Sequence, residues 1–168
     1  MPAPTMLPAL LLSAAAAALT PADRVAIDGA VAQIFAPYRH AATSSQASSS
    51  QDYRGFSAET SALIAHWNRV TPKDEVDDLS DGDWFCLCQD WDAKTFRATI
   101  LKREMLAPDR VQYRLRLNLG WHALREERMI FRREARGWRL DDIFASDFPR
   151  GLKQALRETI AADEKLPK

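Results

Sequence analysis

Val111-Gln112-Tyr113-Arg114-Leu115-Arg116-Leu117-Asn118-Leu119 alternates apolar and polar residues without a break. A period of two over nine residues is the pattern of a strand with one face buried and one wet. The same period brackets it. Upstream, Phe96, Ala98 and Ile100 alternate with Arg97 and Thr99, and Ala107-Pro108-Asp109 supplies a turn. Downstream, Gly120 to Ala123 makes the next connection, Leu124 to Glu134 reads as a third strand and Gly137 to Phe144 as a fourth. Ala135-Arg136-Gly137 is the hairpin between those last two.

Outside this block the period is helical. Thr20-Pro21-Ala22-Asp23 is a helix start, with a capping Thr and Pro at the first position. Ile27, Val31, Ile34, Phe35 and Tyr38 then form one stripe, which predicts a helix from about Pro21 to His40. Thr43 to Gln51, rich in Ser and Gln, reads as a loop. Ser57 to Val70 reads as a second helix, with Leu63, Ile64, Trp67 and Val70 on one face and Thr71-Pro72 at its end. Phe148-Pro149 opens a last helix bearing Leu152, Leu156 and Ile160. Helix, helix, four antiparallel strands, helix is an α+β order, with N-terminal helices packed on a curved sheet and a C-terminal helix after it.

With 168 residues the chain has room for one domain with a sufficient core. No charged side chain precedes Asp23, and Met6 to Leu19 is almost wholly apolar. That run is shorter than the roughly 20 residues of a membrane span. It has the form of a secretory signal, with Ala16-Ala17-Ala18 as the small residues at the cleavage site. The expected organisation is a signal peptide over 1–19 and a single domain over 20–168, periplasmic or secreted once the leader is removed.

Charge balances overall, with 23 basic and 23 acidic residues, but not locally. Residues 52–92 carry 3 basic and 10 acidic side chains, and residues 94–139 carry 13 basic and 5 acidic. Overall neutrality gives no support to nucleic-acid binding. The acidic run from Asp74 to Asp83 reads as a solvated loop. Its spacing does not match an EF-hand, so calcium is the lesser alternative. If Phe96, Tyr113, Leu115, Met129 and Phe131 face the core, then Arg97, Arg114, Arg116, Arg128 and Arg132 share the opposite face. Those arginines are either a solvated face that discourages aggregation or a surface for an acidic partner, an anionic polymer or the chain's own acidic loop.

The same parity points Glu127 inward with Met129 and Phe131, and Asp142 inward with Trp138 and Leu140. Two inward carboxylates in one concavity would form an acid/base pair. A bulge near Asp141-Asp142 would instead turn one of them outward. The candidate pocket is therefore Tyr113, Trp121, Glu127, Trp138 and Asp142. Cys86 and Cys88 would lie about 6.5–7 Å apart in a flat strand, at the outer limit for a disulfide. A disulfide in a bent segment, two buried thiols, and a metal or redox role all remain open. His40, His66 and His122 have no carboxylate or second His at catalytic or metal spacing, and there is no H-E-x-x-H, G-x-S-x-G or P-loop.

Gly137-Trp138-Arg139-Leu140-Asp141-Asp142-Ile143-Phe144, followed by a Leu-spaced helix, resembles the closing strand and tail of the YbjP/YqhG-like bacterial envelope proteins, a family of unknown function. Gln89-Asp90-Trp91-Asp92 and the two-helix start are similar to that family as well. The resemblance covers roughly Ala22 to Lys165. It implies a cystatin-like, nuclear-transport-factor-like cone of helices lining a curved sheet, and it implies no activity. The chain lacks the Cys that follows the leader in lipoprotein members.

The expected function is that of an exported accessory or binding protein, holding a small ligand in the cone or a protein partner on the basic sheet face. The alternatives are a small lyase, isomerase or hydrolase using the inward carboxylates, and an immunity or inhibitor protein covering an acidic target. No cofactor, metal, nucleic acid or stable membrane span is expected. The partner is an unknown protein or small molecule, and a homodimer stays open.

Overall fold

In a computed structural model, residues 18–40, 50–72, 79–80 and 82–165 are described. The proposed signal run up to Ala17 lies outside them, as do most of the Ser-rich loop and residues 73–78 and 81 of the acidic run. The elements are α1 (Pro21–Phe35), α2 (Ala58–Val70), β1 (Arg97–Ala107), β2 (Arg110–Gly120), β3 (Ala123–Glu134), β4 (Gly137–Phe144) and α3 (Leu152–Asp163). The strands form one antiparallel sheet in the order β1-β2-β3-β4. The molecule is an α+β domain with helices, then sheet, then helix. Among the described residues no helix is long and apolar enough to cross a membrane.

Local chemistry sets the ends of α1. The Thr20 hydroxyl accepts the Asp23 N–H at 3.1 Å, which satisfies one of the donors a helix leaves open. At the other end the helix stops at Phe35 rather than at His40. Pro37 has no N–H to donate to Gln33, and the chain continues as a 3-10 turn over Pro37–Arg39. That turn still delivers Tyr38 to the core.

The unbroken alternation of β2 becomes its burial pattern. Val111, Tyr113, Leu115, Leu117 and Leu119 are buried, and Arg114 and Arg116 are exposed. Cross-strand pairing sorts β3 onto the same two faces. Leu117 pairs with Arg125, Leu115 with Glu127, Tyr113 with Met129 and Val111 with Phe131. Near the β1–β2 and β3–β4 hairpins, α1 lies on this inner face. Asp28 takes a bidentate bond from Arg103, at 3.0 and 2.7 Å. Asp23 accepts the Trp138 indole at 2.9 Å and pairs with Arg133 at 2.5 Å. The bonds from Thr20, Trp138 and Arg133, in that order, hold the Asp23 carboxyl down to about 2.

Strand β4 is an edge strand. Its free side is blunted by the chain entering α2, where Ser57 N–H donates to Leu140 O and Leu140 N–H donates to Gly55 O. An uncovered edge would invite pairing with another chain. Trp138 is half-buried near the start of this edge and Leu140 is fully buried, so only the second is a core residue in the full sense.

The register of β4 slips by one residue. Phe131 pairs with Leu140, but Ile130 pairs with Asp142, leaving Asp141 as the bulge. Leu140 and Ile143 therefore share the core face, and Asp142 goes to the other face. This corrects the expectation of an inward Asp142. There its Oδ1 accepts the backbone N–H of Lys153 at 3.0 Å, in the first turn of α3. Gly151 precedes that turn at φ +94, and a Cβ there would meet Asp142 Oδ2 at 2.6 Å. Only glycine allows β4 to cap α3 this closely. Asp141 is tied to Ser57 at 2.8 Å and to Lys153 at 3.0 Å.

Candidate functional site

The sheet's inner face and the three helices enclose aromatic residues at one level and leave a cavity at another. The filled level holds Phe35, Tyr38, Trp84, Trp91 and Phe96, all fully buried. Tyr38 stacks on Phe96 at 5.0 Å and meets Trp91 at a tilt at 4.8 Å between centroids. The Trp91 indole donates to the Tyr38 carbonyl at 2.8 Å, and the Trp84 indole donates to Leu79 O at 2.8 Å. These rings have their polar atoms satisfied, as buried Trp requires.

The cavity has a volume of about 890 Å³ and opens at the β2–β3 end. One wall is the turn after the acidic run, through Asp83, Leu87 and Cys88. A second is the end of the sheet, through Leu119, Trp121 and Arg125. The third is α3, through Ala155 and Glu158. The β2–β3 connection is tight, with Gly120, Trp121 and His122 at φ +91, +49 and +66. Trp121 is 66% exposed.

Asp83 is the most constrained polar group of the wall. The Tyr38 hydroxyl donates to its Oδ1, across 45 residues of sequence. The backbone N–H groups of Phe85 and Cys86 donate to the same oxygen at 2.9 and 3.0 Å. Burial raises the Asp83 carboxyl, and those three bonds oppose the rise. Tyr38 is kept protonated by burial first and by the Asp83 charge second, so it can only donate to that carboxylate.

Glu127 stands behind this wall. It is the next inward residue of β3 beyond Arg125, roughly 6.5–7 Å deeper along the strand. It is 3% exposed, and its Oε1 has no hydrogen-bond partner among the described residues. Burial, and then the Asp83 charge, push it well above the ordinary carboxylate range. Two acids thus sit together with unequal support. Asp83 has three donors that oppose its rise, and Glu127, whose Oε1 has none, is pushed well above the ordinary range. That is the arrangement that separates a base from an acid.

The linkage has a definite sign. A carboxyl raised by folding contributes stability that is fully present below its unfolded pKa, 4.5 for Glu127, and that is lost as the pH rises through the folded value. Glu127→Leu should therefore raise the unfolding free energy at pH 8 by about 1–3 kcal/mol, the cost of an unsatisfied buried polar group. The gain should shrink toward pH 4. Urea melts at the two pH values measure this, and an equal gain at both would assign the benefit to packing alone.

Cys86 and Cys88 form a disulfide with their Cα atoms 5.1 Å apart. Leu87 between them adopts φ +50, which bends the segment out of the flat-strand spacing. A loop this small removes only about 1.5–2 kcal/mol of chain entropy from the unfolded state, so its main effect is on the local shape of the cavity wall.

The structure separates the residues that sequence parity grouped as a pocket. Trp121 lines the cavity and Glu127 lies just beyond it. Tyr113 is three inward positions from Leu119 on β2, roughly 20 Å away. It sits beneath the Arg103 guanidinium at 5.4 Å, and burial followed by the Asp28 carboxylate raises its phenol to about 12. Trp138 is at that same end, under Arg133, and Asp142 is on the other face. Asp83 takes the place expected of Asp142. It was hidden at the end of an acidic run, and its signal was the apolar Trp84-Phe85-Cys86 that follows it directly.

Arg97, Arg114, Arg116 and Arg128 are exposed, and Arg132 is half-buried. Their charge is partly spent within the chain. Glu126 binds Arg114 at 2.7 Å and Arg116 at 2.8 Å. Arg132 lies 3.6 Å from Glu59. Arg128 stacks on Phe144 at 4.6 Å, and Arg97 donates to the carbonyls of Lys94 and Phe96. Among the described residues no group of three or more His, Cys, Asp or Glu side chains is placed to hold a metal ion. No protein-family model, curated protein or solved structure matches the chain.

Proposed function

We propose that the protein is an exported accessory protein that binds a small amphipathic ligand with a cationic or hydrogen-bond-donating head. The cavity carries this reading. Its volume of about 890 Å³ lies within the range of small-molecule sites. Its wall joins apolar groups, Leu79, Leu87, Leu119 and Phe148, to the carboxylates of Asp83, Asp90 and Asp147, against the guanidinium of Arg125, with Glu158 paired to Arg150 at 2.7 Å. The Trp121 ring at the rim offers a face to a cation. Export is supported by the apolar leader and by the disulfide, since disulfides persist in oxidising compartments. The internal pairing of Arg114, Arg116 and Arg132 makes the basic sheet face the weaker docking surface, for an accessory partner or for the acidic target of an immunity protein.

Nile red, which is neutral, and decyltrimethylammonium below its micelle concentration serve as probes. Both should bind saturably, one molecule per chain, with the cation held more tightly. Ala155 lies on the α3 wall, and Ala155→Trp should fill the cavity and weaken both probes by about tenfold or more, a loss of roughly 1.4 kcal/mol. Absence of saturable binding, or binding that Ala155→Trp leaves unchanged, overturns the reading.

A second reading, a small lyase, isomerase or hydrolase, is supported by one observation: Asp83 lines the cavity with Glu127 behind it at a different pKa. Turnover found in a substrate screen, and abolished by Asp83→Asn with the melting temperature held, would favour it over simple binding.

A further inference from the structure

We propose that the Cys86–Cys88 disulfide is a thiol-exchange site, opened by a small thiol that enters the cavity and attacks the sulfur of Cys88. The two sulfurs differ in access. Cys86 is fully buried, whereas Cys88 is half-buried and lines the cavity beside Leu87 and Gln89. A thiolate arriving from solvent therefore meets Cys88 first, and access is one of the factors that set which sulfur of a disulfide is attacked. The thiolate RS⁻ forms a bond to the Cys88 sulfur. The bond between the two cysteine sulfurs breaks, and Cys86 leaves with the electron pair and takes a proton from water. A second thiolate then attacks the sulfur of the bound RS group, releasing RSSR and Cys88 as a thiolate that is protonated in turn. Two small thiols are oxidised to one disulfide, and the protein disulfide is reduced to two thiols.

The surroundings suit a bond that opens in the folded protein. The sequence separation is two, so the bond closes no large loop on which the fold depends. The turn that carries it is held separately. Leu87 N–H donates to Asp83 O at 2.9 Å, and Phe85 and Cys86 N–H groups bind Asp83 Oδ1. Leu87 between the two cysteines adopts a left-handed conformation that costs a residue with a Cβ. The exchange does not depend on which other molecule the cavity holds.

The test uses the full chain, folded and oxidised. In reduced glutathione at pH 8 the disulfide should open while the near-ultraviolet circular dichroism of the folded state is kept. Acid quenching, alkylation and peptide mass spectrometry should place the mixed disulfide on Cys88. With oxidised glutathione, Cys88 in the Cys86→Ala variant should be modified at least about tenfold faster than Cys86 in Cys88→Ala, as the difference in access requires. A mixed disulfide on Cys86, comparable rates in the two variants, or opening only at urea concentrations that unfold the chain overturns the proposal. The wild-type mapping decides the matter if either variant fails to fold.

Discussion

Trp91→Ala is expected to cost about 3–5 kcal/mol in urea melts, the range for removing a fully buried aromatic side chain. Trp91 is 1% exposed and packs against Tyr38, and its indole satisfies the Tyr38 carbonyl. The substitution leaves a void and an orphaned acceptor in the layer that seats the Tyr38 hydroxyl on Asp83. It should therefore shift the denaturation midpoint with little change in slope and also loosen the cavity wall. Trp138→Ala is the internal comparison. Trp138 is half-buried, bonded to Asp23 and stacked under Arg133. Losing one hydrogen bond and one cation–π contact should cost about 1–2 kcal/mol. Equal losses at the two positions would mean that the β4 edge is packed as tightly as the centre.

That contrast also marks what the residues reveal unaided. The alternation over Val111–Leu119 settles β2 and, through it, the inner face of β3, including a buried Glu127. Alternation is legible because each residue's face follows from its neighbour's. A bulge breaks that inheritance. Leu140 and Ile143 are three apart rather than two, and that spacing was the trace of the bulge at Asp141. The apolar residues of β4 alone did not fix where the extra residue fell. Strict alternation along β4 puts Asp142 on the wrong face, whereas the bulge turns it outward, and its bond to the α3 backbone joins elements through a contact that no local pattern announces. The same is true of Asp83, whose side-chain partner Tyr38 lies 45 residues away in sequence. Acidic neighbours from Asp74 onward made it look solvated. The cavity is a property of how three separate segments close on one another, so it was not legible in any one of them.

Asp83→Ala is expected to cost about 2–4 kcal/mol at pH 7, because it strands buried donors that now share one oxygen, each worth roughly 1–3 kcal/mol when unsatisfied. Those donors are the Tyr38 hydroxyl and the N–H groups of Phe85 and Cys86. The loss stays below their simple sum because Asp83 faces the cavity and water can reach part of the site. Two companions separate geometry from charge. Asn at this position keeps an acceptor, so Asp83→Asn should retain most of the stability while weakening decyltrimethylammonium more than neutral Nile red. Tyr38→Phe removes one of the stranded donors beforehand, so Asp83→Ala should cost less in that background. Groups in direct contact typically show a coupling of about 0.5–3 kcal/mol in a double-mutant cycle. Both alanine and asparagine also remove the charge that helps raise Glu127. Glu127 should then titrate at lower pH, so the loss of stability with rising pH, which starts at the unfolded pKa, should level off at a lower pH and be smaller in total. Additive effects of Tyr38→Phe and Asp83→Ala, together with an unmoved pH profile, would show that the buried phenol and the two acids act independently. A measured coupling, with a smaller pH-dependent loss that levels off sooner, would show that the floor of the cavity is one electrostatic unit, in which the carboxylate that faces the cavity adds to burial in raising Glu127.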